Sequence, residues 1–242
     1  MGEWIAFWDS EHSIYVNARH RDVHYRTVAD NIRNSIEGQT SLARQQGRAV
    51  GEPVVLDYGC GEALHADLVA ADVGRLLLCE AAPKVRAALG VHFAGNPKIA
   101  VRSPQEIAAL PERSVDFIVL HSVAQYMTAA ELAGQLAVFR RLLKPQGCLF
   151  LGDIIPPDLP ASTDALALLR FARANGFLGA AVIGLLRTLL SDYWRLRTQL
   201  GLTRYSEAAM IDKLAAAGFS ATRAPANIGH NQARMTFIAR RA

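Results

Sequence analysis

The sequence predicts an α/β protein built on a doubly wound, largely parallel sheet, and three features predict it. Short apolar runs alternate with helix-like segments from residue 53 to residue 155. The first run stops at a glycine-rich turn, Asp57-Tyr58-Gly59-Cys60-Gly61, and the second stops at an acid, Glu80. Near the C-terminus two further runs are joined by only a short turn. Strand–helix alternation gives parallel strands covered on both faces. A turn that short cannot make a parallel crossover, so the last pair is antiparallel.

The elements follow in order. Ile14, Ala18, Tyr25, Val28, Ile32 and Ile36 recur at helical steps, which predicts an amphipathic helix over about 11–36. Asp9 or Ser10 serves as its cap, Gly38 follows its end, and the polar stretch 37–52 reads as a linker. VVLDY gives the first strand, and residues 62–71 a helix. LLLCE at 76–80 gives the second strand, and Pro83 opens a helix that runs to about Leu89. KIAV at 98–101 and VDFIVLHS at 115–122 are the third and fourth strands. Thr128 and Glu131 have capping-box spacing ahead of the stripe Leu132, Leu136, Phe139 and Leu143. Lys144-Pro145-Gln146-Gly147 ends that helix, and CLFLGDII at 148–155 is the fifth strand. Residues 207–217 form a helix stopped by Gly218, and 219–226 and 233–241 are the closing strands. Between the fifth and sixth strands lies an insertion, 156–203, rich in Leu, Ala and Arg, of the kind that sits over a site as a cap.

Composition narrows the function classes. The 242 residues are 51% hydrophobic and 20% charged, with a net charge of +4, as in an ordinary globular chain. The Arg residues are scattered and form no basic arm, so nucleic acid is not the expected partner. The three cysteines, Cys60, Cys79 and Cys148, have no CxxC spacing, which argues against a disulfide framework or zinc and for a reducing, cytoplasmic setting. The acidic opening MGEWIAFWDSEH does not read as a signal peptide. The longest apolar stretch, 177–186, falls short of the roughly 20 residues that span a bilayer.

The chemistry concentrates in the first glycine turn. Ligands of doubly wound sheets bind outside the carboxyl ends of the strands, where strand order reverses. Glycines there let the backbone turn sharply and approach a ligand. Glu80 stands nineteen positions after Gly61, where a carboxylate can accept hydrogen bonds from a ribose diol. A dinucleotide fold wants a third glycine where Leu64 stands, and Asp57 would repel a pyrophosphate. Asp57 instead suits a ligand with a cationic amino group. S-adenosylmethionine (SAM) carries an ammonium, a sulfonium and a ribose diol, and no phosphate.

The segment VVLDYGCG resembles the first motif of class I SAM-dependent methyltransferases of the small-molecule type, and LLLCEAAP resembles their acidic second motif. VDFIVLHSVAQYM is similar to the fourth motif, and RLLKPQGCLFLGD to the strand-five region. The resemblance implies a Rossmann-like, doubly wound, seven-stranded sheet with an antiparallel last strand, an N-terminal helix and a helical cap insertion. It divides the chain into an N-terminal helical lid (1–50), a SAM-binding core (51–155 and 204–242) and the cap (156–203). It implies that Asp57, Gly59 and Gly61 line the methionine end of the cofactor, with Tyr58 and Cys60 of the same turn also binding it. Glu80 would hold the ribose, with Ala81 beside the adenine, and His121 would lie near the reacting methyl. The third motif departs from the family's pattern, and Gln105 or Glu106 would take the adenine amino group. Tyr25 and Arg26 would reach the cofactor from the N-terminal helix.

Methyl transfer leaves S-adenosylhomocysteine (SAH) and needs a general base only where the nucleophile's pKa demands one. Candidates are His121, His20, His24, Tyr126 and His230. His20 and His24 share a helix face, and without a third ligand they read as a surface pair rather than a metal site. His121 reads equally as a strand-end residue, and His230 equally as part of a plain turn. The expected reaction is methyl transfer to a small, partly apolar organic acceptor held under the cap. An RNA or protein methyltransferase, and a non-catalytic SAM-binding protein of the same fold, are the alternatives. Contact of the cap with a membrane surface is a lesser reading, and a homodimer is compatible with the sequence.

Overall fold

The structure is a computed structural model that describes residues 2–10, 15–48, 51–188 and 201–242. Its centre is a seven-stranded sheet in the order β3-β2-β1-β4-β5-β7-β6. The strands are β1 (Val54–Tyr58), β2 (Arg75–Cys79), β3 (Ile99–Arg102), β4 (Val115–His121), β5 (Leu143–Ile154), β6 (Phe219–Arg223) and β7 (Met235–Arg241). The first five are parallel, and β7 runs antiparallel between β5 and β6. This is the Rossmann-like methyltransferase topology that the sequence predicts.

Nine helices are described: α1 (Gly2–Trp8), α2 (Ala18–Gln45), α3 (Ala66–Ala71), α4 (Pro83–His92), α5 (Pro104–Ala108), α6 (Ala129–Leu142), α7 (Ala161–Ala174), α8 (Leu178–Thr188) and α9 (Glu207–Ala216). Alternate residues along a strand point to opposite faces. Leu76 and Leu78 accordingly join Ile32, Ile36, Val69 and Leu89 on one side of the sheet. Leu77 and Cys79 join Leu136, Phe139, Met210 and Leu214 on the other. Each central strand is thus apolar on both faces, which is why the strands read as continuous apolar runs.

The N-terminal region differs from expectation. Helix α2 starts at Ala18, capped by the Asn17 side chain, which accepts from the His20 amide at 2.8 Å. It does not start at Asp9 or Ser10. It continues through Gly38 to Gln45, so 37–45 is helix and not linker. Polar partners along an exposed face, such as Ser41 on Glu37 at 2.7 Å, carry it where the apolar stripe thins. Ile14, part of the predicted stripe, lies outside the described residues. Asp9 instead caps α4, accepting from the Lys84 amide at 2.6 Å.

Two further differences are local. The helix expected over 62–71 begins at Ala66, and the turn at 144–147 belongs to β5. The capping box at α6 is present, with Glu131 accepting from the Thr128 amide at 2.8 Å. Helices α7 and α8 fall in the insertion; its residues 189–200 lie outside the described residues. No helix among the described residues is long and apolar enough to cross a membrane.

Candidate active site

The carboxyl ends of β1, β2, β4 and β5 open into one cavity of about 1640 Å³. Its floor is the turn after β1. Gly59 and Gly61 take φ of +78° and +60°, the left-handed region that glycine enters freely. A Cβ at Gly59 would collide with the Val123 side chain, and one at Gly61 would stand 2.7 Å from Tyr25 Oη. Both turns are therefore closed to any side chain by their own walls.

Glu80 ties this turn to β2. Its Oε2 accepts from the Gly61 amide at 2.9 Å and its Oε1 from the Ala82 amide at 2.8 Å. Burial pushes its pKa up, while those two amides pull the other way. Arg86 clamps the following residues by donating to the carbonyls of Glu80 (2.7 Å) and Ala81 (3.1 Å). Asp57, at the end of β1, accepts no hydrogen bond from any described group. Burial, with Glu80 nearby, raises its pKa to about 7. An unpartnered carboxylate under such pressure invites a cation.

The wall above is aromatic. Trp4 of α1 packs on Tyr126 at 4.6 Å, and Trp8 lies 5.9 Å from the same ring. Tyr25 of α2 folds over the glycine turn and accepts from the Glu62 amide at 3.0 Å. Trp4, Trp8, Tyr25, Tyr126, Ala81 and Gln105 all line the cavity.

Some predicted residues stand elsewhere. Arg26 is exposed and pairs with Asp30 at 4.0 Å, one helix face away from Tyr25. Glu106 closes the capping box of α5 with Ser103. Neither lines the cavity. The Tyr58 ring turns into the core against Phe139 at 5.2 Å, leaving mainly its backbone at the turn. Cys60 is buried, and burial holds its thiol well above the ordinary range.

The histidines converge although they come from three regions of the chain. His20, His24, His121 and His230 all line the cavity. His20 stacks on Phe177 at 5.0 Å, and His230 stacks on Phe171 at 4.6 Å. Burial lowers the pKa of each, to about 4 for His20 and about 3 for His24. His121 sits at the end of β4 with Nε2 3.3 Å from Ser122 Oγ.

Sequence reasoning missed an ionic centre beside them. Arg234 donates to Asp153 Oδ2 at 2.7 Å and to both oxygens of Asp164 at 3.0 Å. Ser122 Oγ donates to Asp153 at 2.7 Å, and Asn227 Nδ2 does so at 3.1 Å. Burial alone would raise the Asp153 pKa, but Arg234, His121 and the hydrogen bonds from Ser122 and Asn227 together outweigh it and hold the carboxyl well below its usual range. Ser122 and Asp153 both adopt positive φ, +58° and +66°, strain that concentrates at functional sites. The partners are some seventy to eighty positions apart in the chain, so no local pattern announces them. The loop Asn227–Gln232 faces the cavity through His230 and Asn231.

Fold and crevice together define the class I methyltransferase architecture. Residues 56–151 match the family described as a methyltransferase domain. No curated protein matches the chain in sequence. Among solved structures, a SAM-dependent methyltransferase of Leishmania major is 13% identical with a TM-score of 0.59, covering 99% of this chain and 81% of that one. Magnesium protoporphyrin IX methyltransferase from Synechocystis, with bound SAH, is 15% identical with a TM-score of 0.53, covering 100% and 94%. Human N-acetylserotonin methyltransferase, in complex with SAM, is 16% identical with a TM-score of 0.55, covering 91% of this chain. The chain spans only 52% of that protein's length.

Proposed function

We propose that this protein binds SAM along the β1–β2 crevice and transfers its methyl group to a small organic acceptor. One observation carries the reading. Glu80 occupies the Gly61 amide, the donor that a dinucleotide fold would aim at a pyrophosphate, while Asp57 beside it has no partner. The crevice thus offers two acidic groups and no phosphate cradle, which fits a cationic nucleoside. Asp57 would take the ammonium end, Glu80 the ribose hydroxyls, and Ala81 and Gln105 the base. Trp4, Trp8 and Tyr25 would cover the bound nucleoside.

When bound, SAM supplies a methyl group already made electrophilic by its sulfonium. The chain's part is to hold the acceptor in line at about 3–3.5 Å and to exclude water. Inserted helices α7 and α8, lying over the cavity with α2, support an enclosed small acceptor over a polymer. Buried Ala172, Phe177 and Ala181 pack there on Val23 of α2.

Calorimetric titration with SAM and SAH tests the cofactor assignment. Binding to the native protein is expected, with loss of binding in Asp57→Ala and Glu80→Ala. Unchanged affinity in both variants would overturn it. Transfer of radiolabelled methyl from SAM into a metabolite extract separates an enzyme from a protein that only binds the cofactor.

A further inference from the structure

Beyond the cofactor crevice the cavity continues between α2, α7, α8 and the β6–β7 loop. His24 of α2 and His230 of that loop line this part, with ring centroids 6.2 Å apart. Neither imidazole hydrogen-bonds to any other described residue. Neighbouring His20, by contrast, has Nδ1 engaged by the Val16 amide at 3.3 Å. Burial lowers the pKa of both His24 and His230, so each is a neutral ring with one donor and one acceptor. Flat surfaces flank the pair: Phe171 lies parallel to His230, within 22°, and Tyr15 stands 5.3 Å from His24. Two bare polar edges in an aromatic wall call for a ligand that completes them.

Charge limits what that ligand is. The Arg234 guanidinium is spent on Asp153 and Asp164. Those carboxylates are in turn occupied by Ser122, Asn227 and Asn231. Among the described residues, the wall around the two histidines therefore offers no uncommitted cation for an acidic acceptor and no open carboxylate for an amine. Arg187 meets the cavity only at its exposed rim.

The geometry points to an acceptor site for a neutral, planar aromatic alcohol, its ring against the aromatic wall and its hydroxyl held by His24 and His230. The inference rests on the methyltransferase reading and names the acceptor class for it.

Three bicyclic probes that differ in charge test it: 2-naphthol, 2-naphthoate and 2-naphthylmethylammonium, each titrated calorimetrically into the protein with and without saturating SAH. Naphthol is expected to bind about tenfold more tightly than either charged probe, the worth of one or two hydrogen bonds kept rather than left unmade. His24→Leu and His230→Leu should each weaken naphthol by about fivefold to tenfold while SAH affinity stays put. His230→Gln, which keeps a donor and an acceptor, should recover part of the loss. Tighter or equal binding of a charged probe, no binding of naphthol, or naphthol affinity indifferent to both leucine variants would overturn the proposal. A failure of SAH to bind the native protein would strike the cofactor reading instead, and the titrations without SAH would still decide the acceptor class.

Discussion

The carboxylate of Glu80 accepts the amide of Gly61 at 2.9 Å and so locks the end of β2 to the turn that follows β1. Its second oxygen takes the Ala82 amide, so one side chain satisfies donors on two loops. Glu80→Ala leaves both donors without their partner. We expect a stability loss of about 1–3 kcal/mol, read from urea unfolding, together with loss of SAM binding. Glu80→Gln should recover only part of the stability, because its one carbonyl oxygen serves one of the two amides.

Asp57 predicts a pH dependence of cofactor binding. Its pKa is raised to about 7 by burial and by Glu80. The folded protein therefore holds this proton more tightly than the unfolded chain does. Asp57 then favours folding at low pH, and that contribution is lost as pH rises toward 7. Binding of a cation needs the carboxylate. SAM affinity should fall up to about tenfold per pH unit below 7 and level off above it. Proton uptake measured by calorimetry in buffers of different ionisation enthalpy checks this, and Asp57→Asn should flatten the profile.

Gly59 adopts φ of +78° with Val123 in the space a Cβ would need. Gly59→Ala brings about 1–2 kcal/mol of backbone strain and pushes Val123 aside. We expect a lower melting temperature, and a loss of cofactor affinity that exceeds any loss from an alanine placed at Gly90, whose Cβ position is open.

Arg234 holds two carboxylates, the buried Asp153 and the partly buried Asp164. Arg234→Met removes the cation shared by Asp153 and Asp164 and should cost about 3–5 kcal/mol at neutral pH. Asp153 keeps a depressed pKa in the native protein, so its stabilising contribution is present above the unfolded value and lost as pH falls through the folded one. The gap between native and variant stability should therefore shrink in acid, as denaturant titrations at successive pH values would reveal.

How much was legible in the sequence follows from the range of each interaction. Strands β1 to β5 are buried on both faces, so VVLDY and LLLCE carry their signal within five residues. The glycine turn and Glu80 are local features of the same kind. The ends of α2 were misread because its last turns are held by polar side chains and interrupted by Gly38, which looks like a stop. Arg26 sits next to Tyr25 in sequence but on a different face of α2, where it pairs with Asp30 instead of reaching the cavity. The Asp153–Arg234–Asp164 centre joins β5, α7 and the loop before β7, and nothing in the composition of any one of them foretells the other two.

The placement of α7 and α8 between β5 and the closing strands bears on how this architecture diversifies. Cys148 pairs with Arg240 across the insertion, so the chain already closes a long loop before that half of the sheet can assemble. Doubling such a loop adds only about 0.6 kcal/mol of closure entropy. Segments of different length and composition can be exchanged there at little thermodynamic penalty, while the turn after β1 stays untouched. The insertion can thus change in size without altering the strand order that presents the glycine turn.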